Sequence, residues 1–178
     1  MKIAVIYKSK TGFTKQYAEW IAEDLNCECL DFEKLNKAAL GAYDYLIFGG
    51  RLSAGRIDGW KKFLTYVADH PNKKLAVFAT GATPQVEKEH IDLVWNNNLS
   101  EAERKMVPHF YMQAGLNYEK MGFGGRMAMK IFAFILKMKP NKDAIESGTQ
   151  QAISQSFDNS SREYIAPLVQ CIKEQMSQ

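Results

Sequence analysis

Short apolar runs alternate with amphipathic segments through the first 115 residues of the chain. The run from Ile3 to Tyr7 is continuous and rich in β-branched residues, which is typical of a strand covered on both faces. From Thr14 to Leu25, apolar side chains recur at helical spacing and charged ones take the opposite face. The two patterns predict strands over 3–7, 27–32, 43–48, 74–80 and 110–114, and helices over 14–25, 60–68 and 86–95.

Two further helices are indicated by their ends. Ser100 and Glu103 have the spacing of a capping box, which predicts a short helix that must end before Pro108. A last helix is expected from about Ser160. Because proline has no backbone N–H, Pro167 predicts a kink or a late start in it.

Strand, helix and strand repeated at this spacing predict an α/β fold, namely a doubly wound parallel sheet of about five strands with helices on both faces. After Gly115 the alternation of strand and helix patterns ends, and the segment 143–159 is polar. We therefore expect a single domain over 1–178 with an insertion at about 117–145, after the fifth strand.

Composition narrows the class of protein. The chain has 178 residues, of which 46% are hydrophobic and 24% charged, as in ordinary globular proteins. Three cysteines are too sparse for a disulfide framework, which favours a reducing, cytoplasmic location.

No run reaches the ~18 apolar residues of a membrane span. A net charge of +3 does not indicate nucleic-acid binding, so no nucleic-acid partner is expected.

The loop between the first strand and the first helix carries the strongest candidate chemistry. Hydroxyl side chains and a glycine lie where a helix N-terminus exposes free backbone N–H groups, which suits a phosphate. The loop lacks the Gly-Lys-Ser/Thr ending of a P-loop and the GxGxxG pattern of a dinucleotide turn. The alternative is a hydroxyl-rich turn without a ligand. The candidate phosphate-binding residues are Ser9, Lys10, Thr11, Gly12, Phe13 and Thr14.

Two later strand ends should converge on the same ligand, because open α/β sheets bind ligands beyond the carboxyl ends of their strands. The third strand is expected to end at Gly49-Gly50, and the loop after it supplies Arg51, Leu52, Ser53, Ala54 and Gly55. The loop after the fourth strand supplies Thr80, Gly81, Ala82 and Thr83. Either loop alone could be a plain turn.

The segment 120–142 combines six basic residues with no acidic residue and many apolar ones. On a helix, Arg126, Lys130 and Lys137 fall on one stripe, which is typical of a helix lying in a membrane interface. An ordinary helix packed on the sheet, with its lysines reaching water, explains the same pattern.

With Ser9 and Thr11-Gly12-Phe13-Thr14, the first loop has the [S/T]-x-T-G-x-T spacing of the flavodoxins, and the chain resembles that family. The resemblance implies a flavodoxin-like fold and non-covalent FMN, with the phosphate on the first loop and the other two loops beside the isoalloxazine. Ala54-Gly55-Arg56 looks like the usual end of the second loop. Two features differ from short flavodoxins: the chain is slightly basic, and neither ring-side loop offers a Trp or Tyr.

A closer resemblance covers the insertion. Gly115-Leu116-Asn117-Tyr118, followed by a basic, Met-rich segment ending Leu136-Lys137-Met138-Lys139, is similar to the bacterial menaquinone-linked protoporphyrinogen oxidases. These are long-chain flavodoxin-like FMN proteins that work at the membrane surface. The resemblance implies an FMN-dependent oxidoreductase with a small-molecule or quinone electron partner and a peripheral membrane contact through 120–142.

Two alternatives stay open: an electron carrier without its own substrate, and a scaffold that has lost its flavin. The intact Thr11-Gly12-Phe13-Thr14 disfavours the scaffold. No catalytic acid or base is assigned, because the flavin carries the chemistry. The three histidines occur singly, so no metal site is predicted. Cys27 and Cys29 are interpreted as buried thiols rather than a redox pair, and Trp60 as a core residue.

Overall fold

A computed structural model describes residues 1–117, 119, 120, 122, 127 and 156–177. The chain forms two compact units, one of Met1–Ala114 with Ser160–Gln178 and one of Gly115–Asn159. The predicted insertion and the basic segment 120–142 lie almost entirely outside the described residues. Among the helices that are described, none is long and apolar enough to cross a bilayer. The single-domain interpretation stays a prediction.

In the Gly115–Asn159 unit, the described residues include an antiparallel bridge between Leu116 and Phe157. The N–H of each residue donates to the carbonyl of the other at 2.9 Å. A Cβ on Gly115 would lie 1.8 Å from the Phe157 carbonyl oxygen, so this close backbone approach requires glycine.

The other unit is built on a twisted parallel sheet with the strand order β2-β1-β3-β5-β6. The described strands are β1 (Ile3–Lys8), β2 (Glu28–Asp31), β3 (Tyr45–Ser53), β4 (Arg56–Ile57), β5 (Lys74–Gly81) and β6 (His109–Gln113). Five of them pair in parallel, and β4 pairs antiparallel with the end of β3. The predicted α/β fold with a five-stranded parallel sheet is confirmed.

Helices cover both faces of this sheet. They are α1 (Phe13–Leu25), α2 (Trp60–Val67), α3 (Lys88–Asn98), α4 (Glu101–Met106) and α5 (Ala166–Met176). Side chains alternate along β1, so that Ile3 and Val5 pack with α1 and α5, while Ala4 and Ile6 pack with α2 and α3. Two apolar layers therefore enclose the sheet, as in a doubly wound fold.

Local sequence features determine where helices α4 and α5 begin. The capping box predicted for α4 is present, with the Ser100 hydroxyl accepting from the Glu103 N–H and the Glu103 carboxylate accepting from the Ser100 N–H. A 3₁₀ turn over Arg162–Ile165 precedes α5, and Pro167 lies in the first turn of α5. The late start is thus the correct alternative for this helix, because a first-turn proline loses no helical hydrogen bond. A second 3₁₀ turn, Lys37–Ala42, was not predicted.

Close contact between β3 and β5 depends on the lack of a side chain at Gly49. Gly49 is the register partner of Phe78, and a Cβ on it would lie 2.0 Å from Phe78 Cζ. Phe78 is fully buried, so its ring has no solvent-exposed position to move into. The aromatic ring therefore fills the space above a glycine in the middle of the sheet.

We predict that Gly49→Ala destabilises the protein by roughly 1–3 kcal/mol, because overpacking outweighs the better strand propensity of alanine. Urea denaturation measures the loss. Gly41→Ala is the matched control, because its Cβ would lie an ordinary 3.5 Å from His70 Cε1. Equal unfolding free energies for both variants and the wild type would contradict the proposed packing.

Candidate functional site

The carboxyl ends of three parallel strands lie side by side at one edge of the sheet. Lys8 at the end of β1 is the register partner of Gly50, and Arg51 of β3 is the register partner of Thr80 in β5. The first, second and third predicted loops leave the sheet from these rows. Strand order reverses between β1 and β3, and crevices at such a point are where open α/β sheets bind ligands.

The first loop has the donors that a phosphate needs. Gly12, at φ 102°, precedes α1, and no side chain caps the helix. The first turn of α1 also contains no acidic residue, so its N–H groups and the positive end of its dipole have no built-in anion. Thr11 and Phe13 are half-buried, and Lys10 is exposed.

Ser9 closes the loop from the other side. Its Oγ accepts a hydrogen bond from the Gly12 N–H at 3.2 Å, and the side chain is partly accessible. A hydroxyl that accepts in this way still has its proton to donate. The loop therefore fits a phosphate through backbone N–H groups, hydroxyl protons and the helix dipole acting together.

Thr14 makes a contact that the sequence did not predict. Its hydroxyl lies 2.7 Å from that of Thr80, and both residues are buried, at 1% and 2% exposure. Because one hydroxyl must donate to the other, the pair ties the first turn of α1 to the end of β5. The assignment of Thr14 to phosphate binding stays a prediction.

The second loop begins later in the chain than predicted, because β3 is longer. The strand expected to end at Gly49-Gly50 continues to Ser53, so that Arg51, Leu52 and Ser53 are strand residues. Ala54 and Gly55, at φ 48° and 74°, form a two-residue turn into β4. Two left-handed residues suit a tight hairpin, but Ala-Gly lacks the Asn or Asp that marks such turns in a sequence. The structure thus places the five predicted residues on a hairpin, which we define as residues 51–57.

The end of α3 holds this hairpin. The Asn98 side chain accepts from the Ile57 N–H at 2.8 Å and donates to the carbonyls of Gly55 at 2.8 Å and Val94 at 2.7 Å. Arg56 Nη1 donates to the Asn97 carbonyl at 2.6 Å. The partners are about 40 residues apart in the chain, so no local pattern in the sequence reveals these contacts.

The third loop touches the hairpin directly. A Cβ on Gly81 would lie 3.0 Å from Leu52 Cδ1 and 2.9 Å from the Tyr111 hydroxyl, so glycine permits this close approach. The Tyr111 hydroxyl donates to the Thr83 carbonyl at 2.8 Å. Burial raises the pKa of Tyr111, which keeps the hydroxyl protonated as a donor.

Gln85 completes the attachment of the third loop to β6. Its N–H donates to Gln113 Oε1, and its Nε2 donates to the Tyr111 carbonyl, both at 3.0 Å. Ala82 and Thr83 are half-buried between these contacts and Gly81. Of the predicted ring-side residues, Thr80 and Gly81 therefore end β5, and Ala82 and Thr83 lie on the loop after it, which Tyr111 and Gln85 fix to β6.

Opposite charges meet beside the second loop. Asp58 lies 2.9 Å from Lys8 Nζ through Oδ1 and 3.3 Å from Arg51 Nε through Oδ2. All three side chains are partly buried. A Cβ on Gly50 would approach the Asp58 carbonyl to 2.7 Å, so glycine lets the two backbone segments come together. One carboxylate thus holds two cations, and Lys8 Nζ also lies 4.0 Å from Glu33 Oε1.

Other candidate chemistry is limited. Trp60 is 1% exposed and stacks on Phe63 at 5.7 Å, which confirms it as a core residue. Burial raises the pKa of the Cys27 and Cys29 thiols to about 11, so both are protonated and weakly nucleophilic at neutral pH. Within the part of the chain that the structure describes, no three His, Cys, Asp or Glu side chains form a metal site.

The model of the flavodoxin domain family matches residues 4–144. Among solved structures, a flavodoxin from the domain Archaea is 21% identical, over 64% of this chain and 85% of that chain, with a TM-score of 0.42. A WrbA-like flavodoxin from Agrobacterium tumefaciens is 22% identical, over 69% and 86%, with a TM-score of 0.43. Megasphaera elsdenii flavodoxin is 16% identical, over 68% and 89%, with a TM-score of 0.44.

No curated protein matches the sequence. The family match covers most of the chain, including β1 to β6 and the three loops that meet at the edge of the sheet. The chain therefore belongs to the flavodoxin domain family, whose cofactor is FMN.

Proposed function

We propose that the protein is an FMN-dependent oxidoreductase that passes electrons from a reduced small molecule, such as a porphyrinogen or a hydroquinone-like compound, to a quinone. The observation that carries the FMN-binding part of this proposal is the uncapped N-terminus of α1, which has Gly12 before it and no acidic residue in its first turn. A dianionic phosphate is the ligand that such a helix end stabilises best.

Two regions of the site would bind the two parts of FMN, its phosphate and its ring. The hydroxyls of Ser9 and Thr11 and the first backbone N–H groups of α1 would hold the phosphate. The hairpin and the Gly81–Thr83 loop would flank the ring, where small residues let the backbone come close. When bound, FMN supplies the electron-transfer chemistry. No side chain at the edge is required as an acid or base.

Charge favours the oxidoreductase over the carrier. A flavodoxin-type carrier is expected to present an acidic rim to its protein partners, whereas Lys8, Arg51 and Arg56 lie at this edge. Asp58 and Glu33 offset two of these three positive charges, so the edge is not acidic. The chain as a whole has a net charge of +3. A small or anionic electron partner suits this rim better than a basic protein does.

Thr11→Ala tests the phosphate assignment. We expect weaker FMN binding by roughly 1–3 kcal/mol, because a charge-assisted hydrogen bond is lost, and unchanged binding of riboflavin, which has no phosphate. Isothermal titration calorimetry measures both ligands. Thr65→Ala is the control, because its hydroxyl donates to the Lys62 carbonyl on α2. Equal losses for FMN and riboflavin would place the phosphate elsewhere.

The kinetics with which the reduced holoprotein is reoxidised distinguish an oxidoreductase from an electron carrier. Menadione takes two electrons and two protons from the photoreduced holoprotein and becomes menadiol. We expect the rate to saturate with menadione concentration, because the quinone binds first, whereas free reduced FMN gives a linear dependence. A linear dependence for the holoprotein, together with rapid reduction of cytochrome c, would favour the carrier.

We also propose that 120–142 contacts an anionic membrane surface, on the basis of its six basic and many apolar residues. The chain should co-sediment with phosphatidylglycerol vesicles, and Lys130→Glu/Lys137→Glu should abolish this binding. Lys61→Glu/Lys88→Glu, at two exposed positions outside the segment, is the charge-matched control. Failure of the wild type to bind, or equal losses in both variants, would refute the membrane contact.

A further inference from the structure

We propose that Asn98 is a positioning residue of the flavin site, which holds the hairpin in the conformation that receives the ring. This inference rests on the proposed function, because it assumes that the hairpin flanks FMN. Asn98 lies at the C-terminal end of α3, outside the three loops, and it would act through the hairpin.

The Asn98 side chain uses all of its hydrogen-bonding groups. Its oxygen accepts a hydrogen bond from the Ile57 N–H, and its amide nitrogen donates hydrogen bonds to the carbonyls of Gly55 and Val94. The Val94 bond fixes the side chain to its own helix, and the other two bonds reach Gly55 in the turn and Ile57 in β4. Of the natural side chains of this length, only the asparagine amide combines one acceptor with two donors.

The hairpin is short, and besides Asn98 it is held by the bond from Arg56 to the Asn97 carbonyl and by a bond from the Asp58 N–H to the Arg51 carbonyl at 2.9 Å. It is closed by two residue pairs, Leu52 with Ile57 and Ser53 with Arg56. A hairpin of this length is marginally stable in water by itself. Its turn also holds Ala54 at φ 48°, a left-handed conformation that is strained for an alanine. The bonds from Asn98 offset this tendency to open.

Helix α3 connects the two ring-side loops. The chain leaves β5 at Gly81, passes through Thr83 and Gln85 and enters α3 at Lys88, and the helix ends at Asn98. The start of this path is fixed to β6 by Tyr111, and its end is fixed to the hairpin. Loss of the Asn98 side chain should therefore loosen the ring side of the site and leave the phosphate loop intact.

The test compares neighbouring asparagines in the full chain. Asn98→Ala should weaken binding of FMN and riboflavin by the same factor, roughly tenfold, because binding energy must then order the hairpin. Asn96→Ala should bind both ligands like the wild type, because the Asn96 side chain accepts from Arg104 on α4 and makes no bond to the hairpin. The visible spectrum and the reduction potential of bound FMN should change in Asn98→Ala and not in Asn96→Ala.

A measurement without any variant keeps the inference falsifiable if Asn98→Ala does not fold. Hydrogen exchange on the wild type should show the Ile57 amide protected before FMN is added, because Asn98 already holds it. Rapid exchange of this amide, or unchanged FMN and riboflavin affinities in a folded Asn98→Ala, would overturn the role of Asn98. Failure of the wild type itself to bind FMN would instead overturn the proposed function.

Discussion

Parallel pairing of β1, β3 and β5 in one register is the constraint on which the whole site depends. It brings Lys8 level with Gly50 and Arg51 level with Thr80, so that loops far apart in sequence leave the sheet side by side. The pairing needs small residues inside the sheet, because the Phe78 ring fills the space above Gly49. Apolar burial on both faces supplies the free energy that keeps the strands aligned.

Two kinds of contact shape the proposed FMN site at the carboxyl edge of the sheet. The proposed phosphate side offers the unsatisfied donors of a helix N-terminus, which need little support from side chains. The proposed ring side depends on hydrogen bonds between elements: Asn98 holds the hairpin, and Tyr111 and Gln85 hold the third loop. The buried Thr14–Thr80 hydroxyl pair connects the two sides. A rigid frame of this kind lets a bound flavin be tuned by backbone and charge, without a catalytic side chain.

The strands of the sheet could be predicted because buried parallel strands are continuous apolar runs, as in β1 and β5. The first loop was also accessible to sequence analysis, since hydroxyls and glycine before an amphipathic helix have a direct physical interpretation. The hairpin was not, because Ala-Gly is an unusual sequence for a turn with two left-handed residues. Asn98 and Tyr111 bond to partners distant in the chain, and their residue types give no local signal. Thr80 was predicted at the ring side, but its bond to Thr14 was not.

The most direct test of the site at this edge is a titration of the purified chain with FMN, followed by visible absorption and flavin fluorescence. The structure predicts saturable binding of one FMN per chain, with a shifted visible band and altered fluorescence. An absence of saturable binding at high FMN concentration would contradict it, and would mean that the loop before α1 is only a turn.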